Sequence, residues 1–407
     1  MPGLISRVLG GGQPRNADIT TSRELAERLR GEQTWSGVDV TPNLALHTSA
    51  VFACVRLIAE DIGKLPFILY SSTADGSRVR ATSSPFWRLI HDRPNAWQSS
   101  QQFREMLTAH ALLRGNGFAL KNVRGGQVRE LIPLHPDRVR IEQLPDWELV
   151  YHVQLPGSSE EKRYSRREIF HLPGISFDGV RGVSIIGLAR QSIALSMATE
   201  RHGATFFGKG SHPSGVFRHK GTLSDEAFER LKSDLRGFAG GGTDEGSTLI
   251  LEDDMDWKQV GLSNEDSQFL ATREFQVTEH ARWFRVPPHK IADLSRATFS
   301  NIEHQAIEYV VDSLLPWGKR WEHAVNQTVI DTNDVYAELL FDMLLRGDTK
   351  SRYESYRIAS GGPWMSRNEV RRAENLGTVD GLDEVLTPLN TAGGNDRATA
   401  EATNAAA

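Results

Sequence analysis

The sequence predicts an α+β fold, because helical and strand-like apolar periodicities occupy separate stretches of the chain. Strand-like runs such as PFILY and REIFHLPG are short, rich in β-branched and aromatic residues, and bounded by proline or glycine. Helical stretches instead repeat their apolar residues at steps of three and four. With 407 residues, the chain is long enough to form two or three regions around more than one core.

The first half begins with residues 1–40, which are rich in glycine, arginine, aspartate and threonine and are predicted to form a flexible arm. Folding is predicted to start in TPNLALHTSAVFACVRLIAEDIGKLPFILY, where Val51, Val55 and Ile58 follow a helical pattern and a strand begins after Pro66. A second helix, SSQQFREMLTAHALLRG, ends at Gly115. Strand-like runs with Gly-Gly and Pro-Gly reversals follow in GFALKNVRGGQVRELIPLHP, VRIEQL, LVYHVQLP and REIFHLPG.

The second half has longer helices. One is predicted from about Ser184 to Phe207, followed by a strand in SGVFRHK, a helix in SDEAFERLKSDLRGF and another strand pair in GSTLILEDDMDWKQVG. A further helix opens at a Ser263-x-x-Asp266 cap and stops at Pro287-Pro288. One face of that helix is predicted to be apolar, and it carries Leu270, Val277, Ala281 and Phe284.

A polar loop, HKIADLSRATFS, leads to the long helix NIEHQAIEYVVDSLLPWGKRWEHAVNQTVI. Pro316 removes one backbone hydrogen bond from this helix, so a kink is predicted there. The strand DVYAELLFDM and the helices DTKSRYESYRIA and SRNEVRRAENL follow, and Ser366 with Glu369 forms a capping box at the start of the last helix. The final segment, TAGGNDRATAEATNAAA, has low complexity and is predicted to be disordered.

The stretch GATFFGKGSHPSG has Gly203, Gly208 and Lys209 at the spacing of a P-loop. Two observations argue against nucleotide binding. Gly210 occupies the place of the Ser or Thr that holds magnesium, and the residues before the loop have helical rather than strand periodicity. A helix that ends at these glycines is the favoured interpretation, and an ATPase using Gly203 to Lys209 is the alternative from the enzyme class.

Composition limits the range of partners. A net charge of −5, from 47 basic and 52 acidic residues, argues against tight, nonspecific binding of nucleic acid through many phosphate contacts. The single cysteine, Cys54, excludes an internal disulfide and a cysteine-built zinc site. No apolar run has the length of a membrane span, and MPGLISRVLGGGQPR lacks the apolar core of a secretion signal, so synthesis in the cytosol is expected.

The sequence does not bring together a nucleophile, a base and an oxyanion site, so no enzyme activity, no cofactor and no metal are predicted. His280, His289 and His304 have no neighbouring residues at the sequence spacing that a metal site requires. Two further histidines, His110 and His135, flank apolar segments and are predicted to be satisfied structural residues. A solvated turn is predicted for Glu252, Asp253, Asp254 and Asp256. Arg367, Arg371 and Arg372 are predicted to form one basic face of the last helix. This face could contact either DNA or acidic residues of a neighbouring molecule.

Several motifs occur in one order across most of the chain. They are HDRPNAWQSSQQF, LLRGNGFAL, LIPLHPDRV, GVRGVSIIGLARQSIALSMATERHGATFFGKGSHPSGVF, LSNEDSQFLATREFQVTEHARWFRVPPHKI, ATFSNIEHQAIEYVVDSLLPW and LLRGDTKSRYESYRIA. This order closely resembles the portal proteins of long-tailed bacteriophages and prophages, from about Asn43 to Asn390. Such a series of motifs is far more specific than a lone glycine pattern.

The resemblance implies a portal-type subunit with an α+β wing, a two-helix stem, a small α/β clip and a helical crown, which assembles into a ring that is typically dodecameric. The implied segments are the flexible arm (1–40), the wing (41–183), the first stem helix (184–209), the clip (210–262), the second stem helix (263–286), the tunnel loop (287–300), the kinked wing helix and strand (301–345), the crown (346–390) and the disordered tail (391–407). At the junction of stem and clip, the chain is expected to turn at Gly208, Gly210, Pro213 and Gly215.

The function implied is a structural channel at the unique capsid vertex, through which DNA is packaged and ejected and where head and tail join. The implied partners are further copies of the chain, the major capsid protein, the large terminase subunit at the clip, a head-completion or adaptor protein and the double-stranded DNA in the channel, with no membrane. The implied location is the virion, after assembly in the host cytoplasm. In the tunnel loop, Lys290 and Arg296 are the candidates for transient phosphate contact, and the alternative is that both are surface charges with partners in their own chain. A sequence-reading DNA-binding protein is the alternative from the binding class.

Overall fold

The computed structural model describes residues 34–73, 78–158, 160–208, 215–218, 221, 224–239, 256–259, 264–293, 307–341, 344, 349–374 and 376–386. Within these residues, helices and small antiparallel sheets occupy separate stretches of the chain, so the α+β prediction is confirmed. No helix in this part of the chain is both long enough and apolar enough to cross a lipid bilayer.

The longer helices are α1 (Ser49–Lys64), α2 (Ser100–Arg114), α3 (Arg190–Gly208), α4 (Asp225–Ala239), α5 (Asn264–Trp283), α6 (Leu315–Thr328), α7 (Thr349–Gly361) and α8 (Arg367–Ala373). Shorter helical turns occur at Pro42–Ala45, Pro85–Trp87, Arg88–Asp92, Pro136–Arg138, Ile185–Leu188, Pro288–Ile291 and Tyr309–Leu314. The predicted capping box at the start of α8 is confirmed, since the side chains of Ser366 and Glu369 each accept from the other's backbone N–H.

The strands are β1 (Phe67–Ser72), β2 (Arg78–Arg80), β3 (Asn116–Arg124), β4 (Gln127–Leu134), β5 (Val139–Gln143), β6 (Leu149–Gln154), β7 (Glu161–Ser165), β8 (Ile169–Pro173), β9 (Gly215–Arg218), β10 (Asp256–Gln259) and β11 (Val335–Leu339). Among the described residues they form antiparallel sheets with the orders β11-β1-β2, β4-β3-β8, β5-β6-β7 and β10-β9. Phe67 of β1 is opposite Leu339 of β11, so the late strand joins the sheet that the first strand begins.

Two hydrophobic cores meet at the sheet β4-β3-β8. The larger core lies between α1, α2, α6 and one face of this sheet, where Ala119 and Phe170 are buried. The smaller core lies on the opposite face, where Phe118 and Ile169 pack with Ile141 of β5. Adjacent strand residues therefore enter different cores, as the alternation of side chains along a strand requires.

The chain passes very close to itself where α2 ends. Gly115 caps α2 with a φ of 85°, and its carbonyl accepts from the N–H of Gly174 at 2.7 Å. A Cβ added to Gly182 would lie only 1.8 Å from the Gly115 carbonyl oxygen. A larger residue at position 182 would therefore push the two backbone segments apart.

The helix around Pro316 changes its hydrogen bonding instead of ending. Residues Tyr309–Leu314 are π-helical, and α6 begins immediately afterwards with Pro316 in its first turn. The wider π-helical turn accommodates the missing proline N–H, and such turns are a recognised cause of helix kinks. Val310, Ser313, Trp317 and Ala324 of this continuous helical segment are all buried.

Two expectations need correction, and one exposed strand was missed. Residues 34–40 lie in the predicted flexible arm, but Thr34, Val38 and Val40 are buried, and Thr34 Oγ1 donates to the carbonyl of Val38 at 2.6 Å. Leu270, expected on the apolar face of α5, is 53% exposed, although Ala281 and Phe284 on the same face are buried. The strand β7 was not expected, because its residues EKRYS are mostly exposed and charged.

Candidate functional site

The two helices expected as the stem, α3 and α5, pack side by side in antiparallel directions. Ser196 Oγ lies 2.7 Å from His280 Nε2, and Gln276 Nε2 donates to Thr199 Oγ1 at 3.2 Å. Further along α3, a Cβ added to Gly203 would lie 2.9 Å from Phe269 Cζ. Successive residues of α3 thus contact progressively earlier residues of α5, as antiparallel helices do. The polar pairs between the helices fix their register.

Gly203 is part of α3 and not of a loop. The helix runs without interruption to Gly208, so the backbone N–H groups between these glycines belong to helical residues. A P-loop requires those N–H groups to be free to surround phosphates. Gly208 is the last described residue of α3, which supports the helix-end interpretation, and the ATPase alternative loses its structural basis.

Of the junction between α3 and the following strand, the structure describes only the flanking residues Gly208 and Gly215. Gly208 is the last residue of α3, and Gly215 is the first residue of β9, where it pairs with Gln259 of β10. The predicted turn residues Gly210 and Pro213 lie outside the described residues, as does Lys209. The expectation that these glycines turn the chain stays a prediction.

Helix α5 ends in a Schellman motif. The N–H of Arg285 bonds to the carbonyl of Arg282 at 3.1 Å, and the N–H of Val286 bonds to the carbonyl of Ala281 at 2.9 Å. Arg285 has a φ of 56°, a left-handed conformation that glycine usually occupies at this position. The guanidinium of Arg285 lies 3.8 Å from the carboxylate of Asp312, with both side chains exposed.

A short turn, Pro288–Ile291, follows α5 and carries Lys290. Lys290 is exposed, and its Nζ lies 5.3 Å from the centre of the Tyr309 ring. The end of this turn is held by Asp293, which accepts from the hydroxyl of Thr278 at 3.2 Å. The turn therefore presents a lysine that already has an aromatic partner in its own chain.

Tyr309 links this turn to the main core. Its hydroxyl donates to Asp61 Oδ2 at 2.7 Å, and Lys64 forms an ion pair with the other oxygen of Asp61. Burial, and secondly the negative charge of Asp61, raise the pKa of Tyr309. The phenol therefore stays protonated at neutral pH and acts as the donor to a buried carboxylate.

The second predicted channel residue, Arg296, lies outside the described residues. The structure therefore describes only Lys290 of this pair, and the contact of either residue with DNA stays a prediction. For Lys290, the alternative of an intrachain partner receives support from the Tyr309 ring.

The histidines form no metal site within the described part of the chain, where no group of three or more ligand-type residues occurs. The rings of His110 and His135 lie 5.3 Å apart, and burial lowers the pKa of His110 to about 4. The burial of His110 agrees with the expected structural role, although its buried Nδ1 has no hydrogen-bond partner among the described residues. The same holds for Nδ1 of His280, whose pKa burial also lowers.

The other charged groups singled out in the sequence have different outcomes. The carboxylates of Glu252, Asp253 and Asp254 lie outside the described residues. Arg372 lies 3.3 Å from Asp383, and Arg371 donates to the carbonyl of Gly377 at 2.6 Å. The basic face of α8 is therefore largely engaged within its own chain.

The sequence analysis missed Arg104, which is the least exposed Asp, Glu, Lys or Arg residue in the described part of the chain. It is 5% exposed and donates to the carbonyls of Gly63 and Leu65 at 2.6 and 2.9 Å, where α1 ends. Burial lowers the pKa of Arg104 to about 10, so it stays charged at neutral pH. Nothing in the local pattern of α2 distinguishes this arginine, because its acceptors lie about forty residues earlier in the chain.

The arrangement of small antiparallel sheets and paired helices has counterparts among solved structures. The structure titled "Neck of native GTA particle computed with C12 symmetry", where GTA stands for gene transfer agent, has a similar fold, with a TM-score of 0.59. The alignment covers 92% of this chain and 98% of that chain at 22% sequence identity. At this identity, the likeness shows the fold alone.

The family model described as "Phage portal protein" matches residues 49–375, and the chain belongs to the phage portal protein family. The chain is 31% identical over 349 residues to the portal protein of Enterobacteria phage HK97, covering 84% of this chain and 81% of the relative. It is 33% identical over 373 residues to the probable portal protein of Streptomyces phage phiC31, covering 87% and 80%. The protein is therefore a member of a structural protein family of the phage head.

Proposed function

We propose that this chain forms the ring-shaped channel at the unique capsid vertex, through which double-stranded DNA is packaged and later ejected, and which joins head to tail. The observation that carries the proposal is the match to the portal family over residues 49–375. The twelvefold symmetry used for the similar neck structure supports a ring of twelve subunits. The location that follows is the portal vertex of the virion, after assembly in the host cytoplasm.

The described elements can be assigned to parts of such a subunit. The α+β body up to Val183, with the helix and strand of residues 307–341, is the proposed wing. The packed pair α3 and α5 is the proposed stem, and β9, α4 and β10 form the proposed clip between them. The turn at Lys290 begins the proposed tunnel loop, and α7 with α8 forms the proposed crown.

Exposed apolar side chains on the stem pair support assembly. A single subunit leaves Leu195 on α3 and Phe275 on α5 about half exposed, at 50% and 56%. Trp283 near the end of α5 is 41% exposed. Packing of the same faces between neighbouring copies in a ring would bury these side chains and stabilise the assembly.

A channel must let DNA slide, so its walls should hold few strong phosphate contacts. The net charge of −5 suits that requirement. The contact of Lys290 with the Tyr309 ring leaves its ammonium exposed, which supports a weak and transient phosphate contact. Arg296 is proposed for the same role from its place in the sequence.

Further partners complete the proposal. The large terminase subunit would dock at the clip, the major capsid protein would contact the wing, and a head-completion or adaptor protein would bind at the same vertex. A membrane has no role in it. No catalytic step is assigned to the chain, and the motor activity belongs to the terminase.

Negative-stain electron microscopy with light scattering of the purified chain tests the proposal. Rings with a central channel and a mass near twelve subunits of 45.3 kDa are expected. Leu195→Asp should abolish rings, because it places a charge in the proposed contact between stems. Val123→Asp, which changes an equally exposed apolar residue on β3, should leave them intact. A monomer or dimer from the unmodified chain, or equal ring formation by both variants, would contradict the proposed assembly.

A further inference from the structure

A cleft with a volume of about 580 Å³ opens at the outer edge of the small sheets. One side is formed by β3 and the end of α6, including Lys121 and Thr328. The other side is formed by the turn between β5 and β6, with Trp147, and by the turn between β7 and β8, with Arg166 and Arg167. These residues line what is here named the basic cleft. None of them belongs to α3, α5 or the turn at Lys290.

Lys121 is the buried charge of the basic cleft. It is only 7% exposed, and its Nζ donates to the backbone carbonyl of Thr328 at 2.7 Å. Burial, and secondly the positive charge of Arg166, lower its pKa to about 8, with Glu168 acting in the opposite direction. In the described residues this ammonium donates to a neutral carbonyl and forms no ion pair, so the charge of Glu168 acts on it only from a distance.

The two arginines add donors without acceptors. Arg166 and Arg167 are exposed, and neither has a hydrogen-bond or ion-pair partner in the part of the chain that the structure describes. One oxygen of the nearby Glu168 carboxylate is occupied, because Oε2 accepts from both the N–H and the hydroxyl of Ser165 at 2.9 Å. Arginine forks suit a carboxylate, which they can bind through two parallel hydrogen bonds.

Trp147 supplies an apolar surface beside these charges. Its side chain is 76% exposed, and its backbone has a φ of 69°, which is unusual for a bulky residue. The turn is fixed by hydrogen bonds from Leu144 N–H to the Glu148 carbonyl and from Trp147 N–H to the Leu144 carbonyl, at 2.8 and 2.9 Å. The hydrogen bonds of the turn keep the Trp147 backbone in a strained conformation that exposes the indole. This combination points to a contact surface.

We propose that the basic cleft binds an extended protein segment that carries a carboxylate side chain next to an aromatic or aliphatic one. The carboxylate would pair with Lys121, Arg166 and Arg167, and the apolar side chain would lie against Trp147. A protein segment fits better than DNA because a cleft of about 580 Å³ can admit a single extended peptide strand but not a DNA duplex. The surface would therefore serve a protein partner of the ring, and it does not depend on ring formation or on the path of DNA.

The test uses the full chain and three probes: a hexaglutamate peptide ending in tyrosine amide, its hexalysine counterpart and a short DNA duplex. Binding measured by calorimetry at low salt should occur with hexaglutamate and not with hexalysine. Arg166→Gln combined with Arg167→Gln should weaken hexaglutamate binding at least about tenfold, roughly 1.4 kcal/mol. The matched control, Arg124→Gln with Arg129→Gln, removes the same charge from β3 and β4 and should leave the affinity unchanged.

Trp147→Gly separates binding from folding. Glycine adopts the positive φ without strain, so this variant should unfold at the same or a higher temperature while it binds hexaglutamate more weakly. Equal affinity in all variants, or no binding to the unmodified chain, would overturn the proposal. Loss of DNA binding in the Arg166 and Arg167 double variant without loss of hexaglutamate binding would overturn it as well, because the cleft would then recognise nucleic acid.

Discussion

The Tyr309 hydroxyl donates a hydrogen bond to Asp61 at 2.7 Å, although 248 positions of sequence separate the two residues. Asp61 belongs to α1, the first long helix, while Tyr309 begins the π-helical turn before Pro316. The same Tyr309 ring also faces Lys290. One buried phenol thus joins the main core, the helix around Pro316 and the turn that carries the candidate channel lysine.

Tyr309→Phe should lower the free energy of unfolding by about 1.5–3 kcal/mol, since it removes a buried donor from a carboxylate and keeps the ring. Chemical denaturation followed by circular dichroism would measure the loss. Tyr353→Phe is the matched control, because Tyr353 is 52% exposed, and it should have little effect. Equal stability of the two variants would show that the hydrogen bond to Asp61 contributes little to the fold.

Arg104→Met should destabilise the protein by about 3 kcal/mol or more. The methionine fills much of the space, but the carbonyls of Gly63 and Leu65 would lose their buried donor at the end of α1. Arg56→Met, which changes an exposed residue of α1, should have no measurable effect by the same denaturation assay. If both variants unfolded at the same denaturant concentration, Arg104 would have no special role in holding α1.

Helices with strong periodicity were predictable from the sequence. The helices around Val51, Gly115 and Ser366 occur where apolar spacing and caps indicate them, because those signals are local. The edge strand β7 was not predictable from its composition, since four of its five side chains are exposed and its pairing with β6 supplies its order.

The contacts of the candidate site were harder to predict for the same physical reason. The Ser196 to His280 pair and the Tyr309 to Asp61 pair each join residues that are far apart in sequence, so no local pattern reports them. Asp61 did carry a weak signal, namely an acidic residue beside the apolar positions Ile58 and Ile62 in a helix. Lys121 carried none, because a lysine in a strand usually faces solvent.

Acidification should destabilise the protein through its buried histidines. Burial lowers the pKa of His110 from about 6.5 to about 4, so the folded state keeps this ring neutral where the unfolded state binds a proton. The contribution of His110 to stability is therefore complete above pH 6.5 and is lost as the pH falls toward 4. His171 acts in the same direction, since burial lowers its pKa to about 3.

Denaturation midpoints measured between pH 8 and pH 4 would check this slope. His110→Gln should make stability less dependent on pH between about 6.5 and 4, because glutamine does not titrate. His47→Gln, at an exposed position, should leave the slope unchanged. An unchanged slope in His110→Gln would mean that the protonation of His110 does not differ between the folded and unfolded states.

Arg285→Gly should raise the stability of the protein by up to about 1 kcal/mol. Glycine occupies the left-handed conformation at the end of α5 without the steric cost that a Cβ imposes there. The lost ion pair with Asp312 is long and exposed, so it offsets little of the gain.

Thermal unfolding of Arg285→Gly can be compared with that of Arg282→Gly, three residues earlier. Arg282 lies inside the helix, where glycine costs about 1 kcal/mol, so this control should melt at a lower temperature. Opposite shifts of the two variants would establish that the Schellman motif, and not the loss of an arginine, determines the effect, whereas a lower melting temperature for both would contradict it.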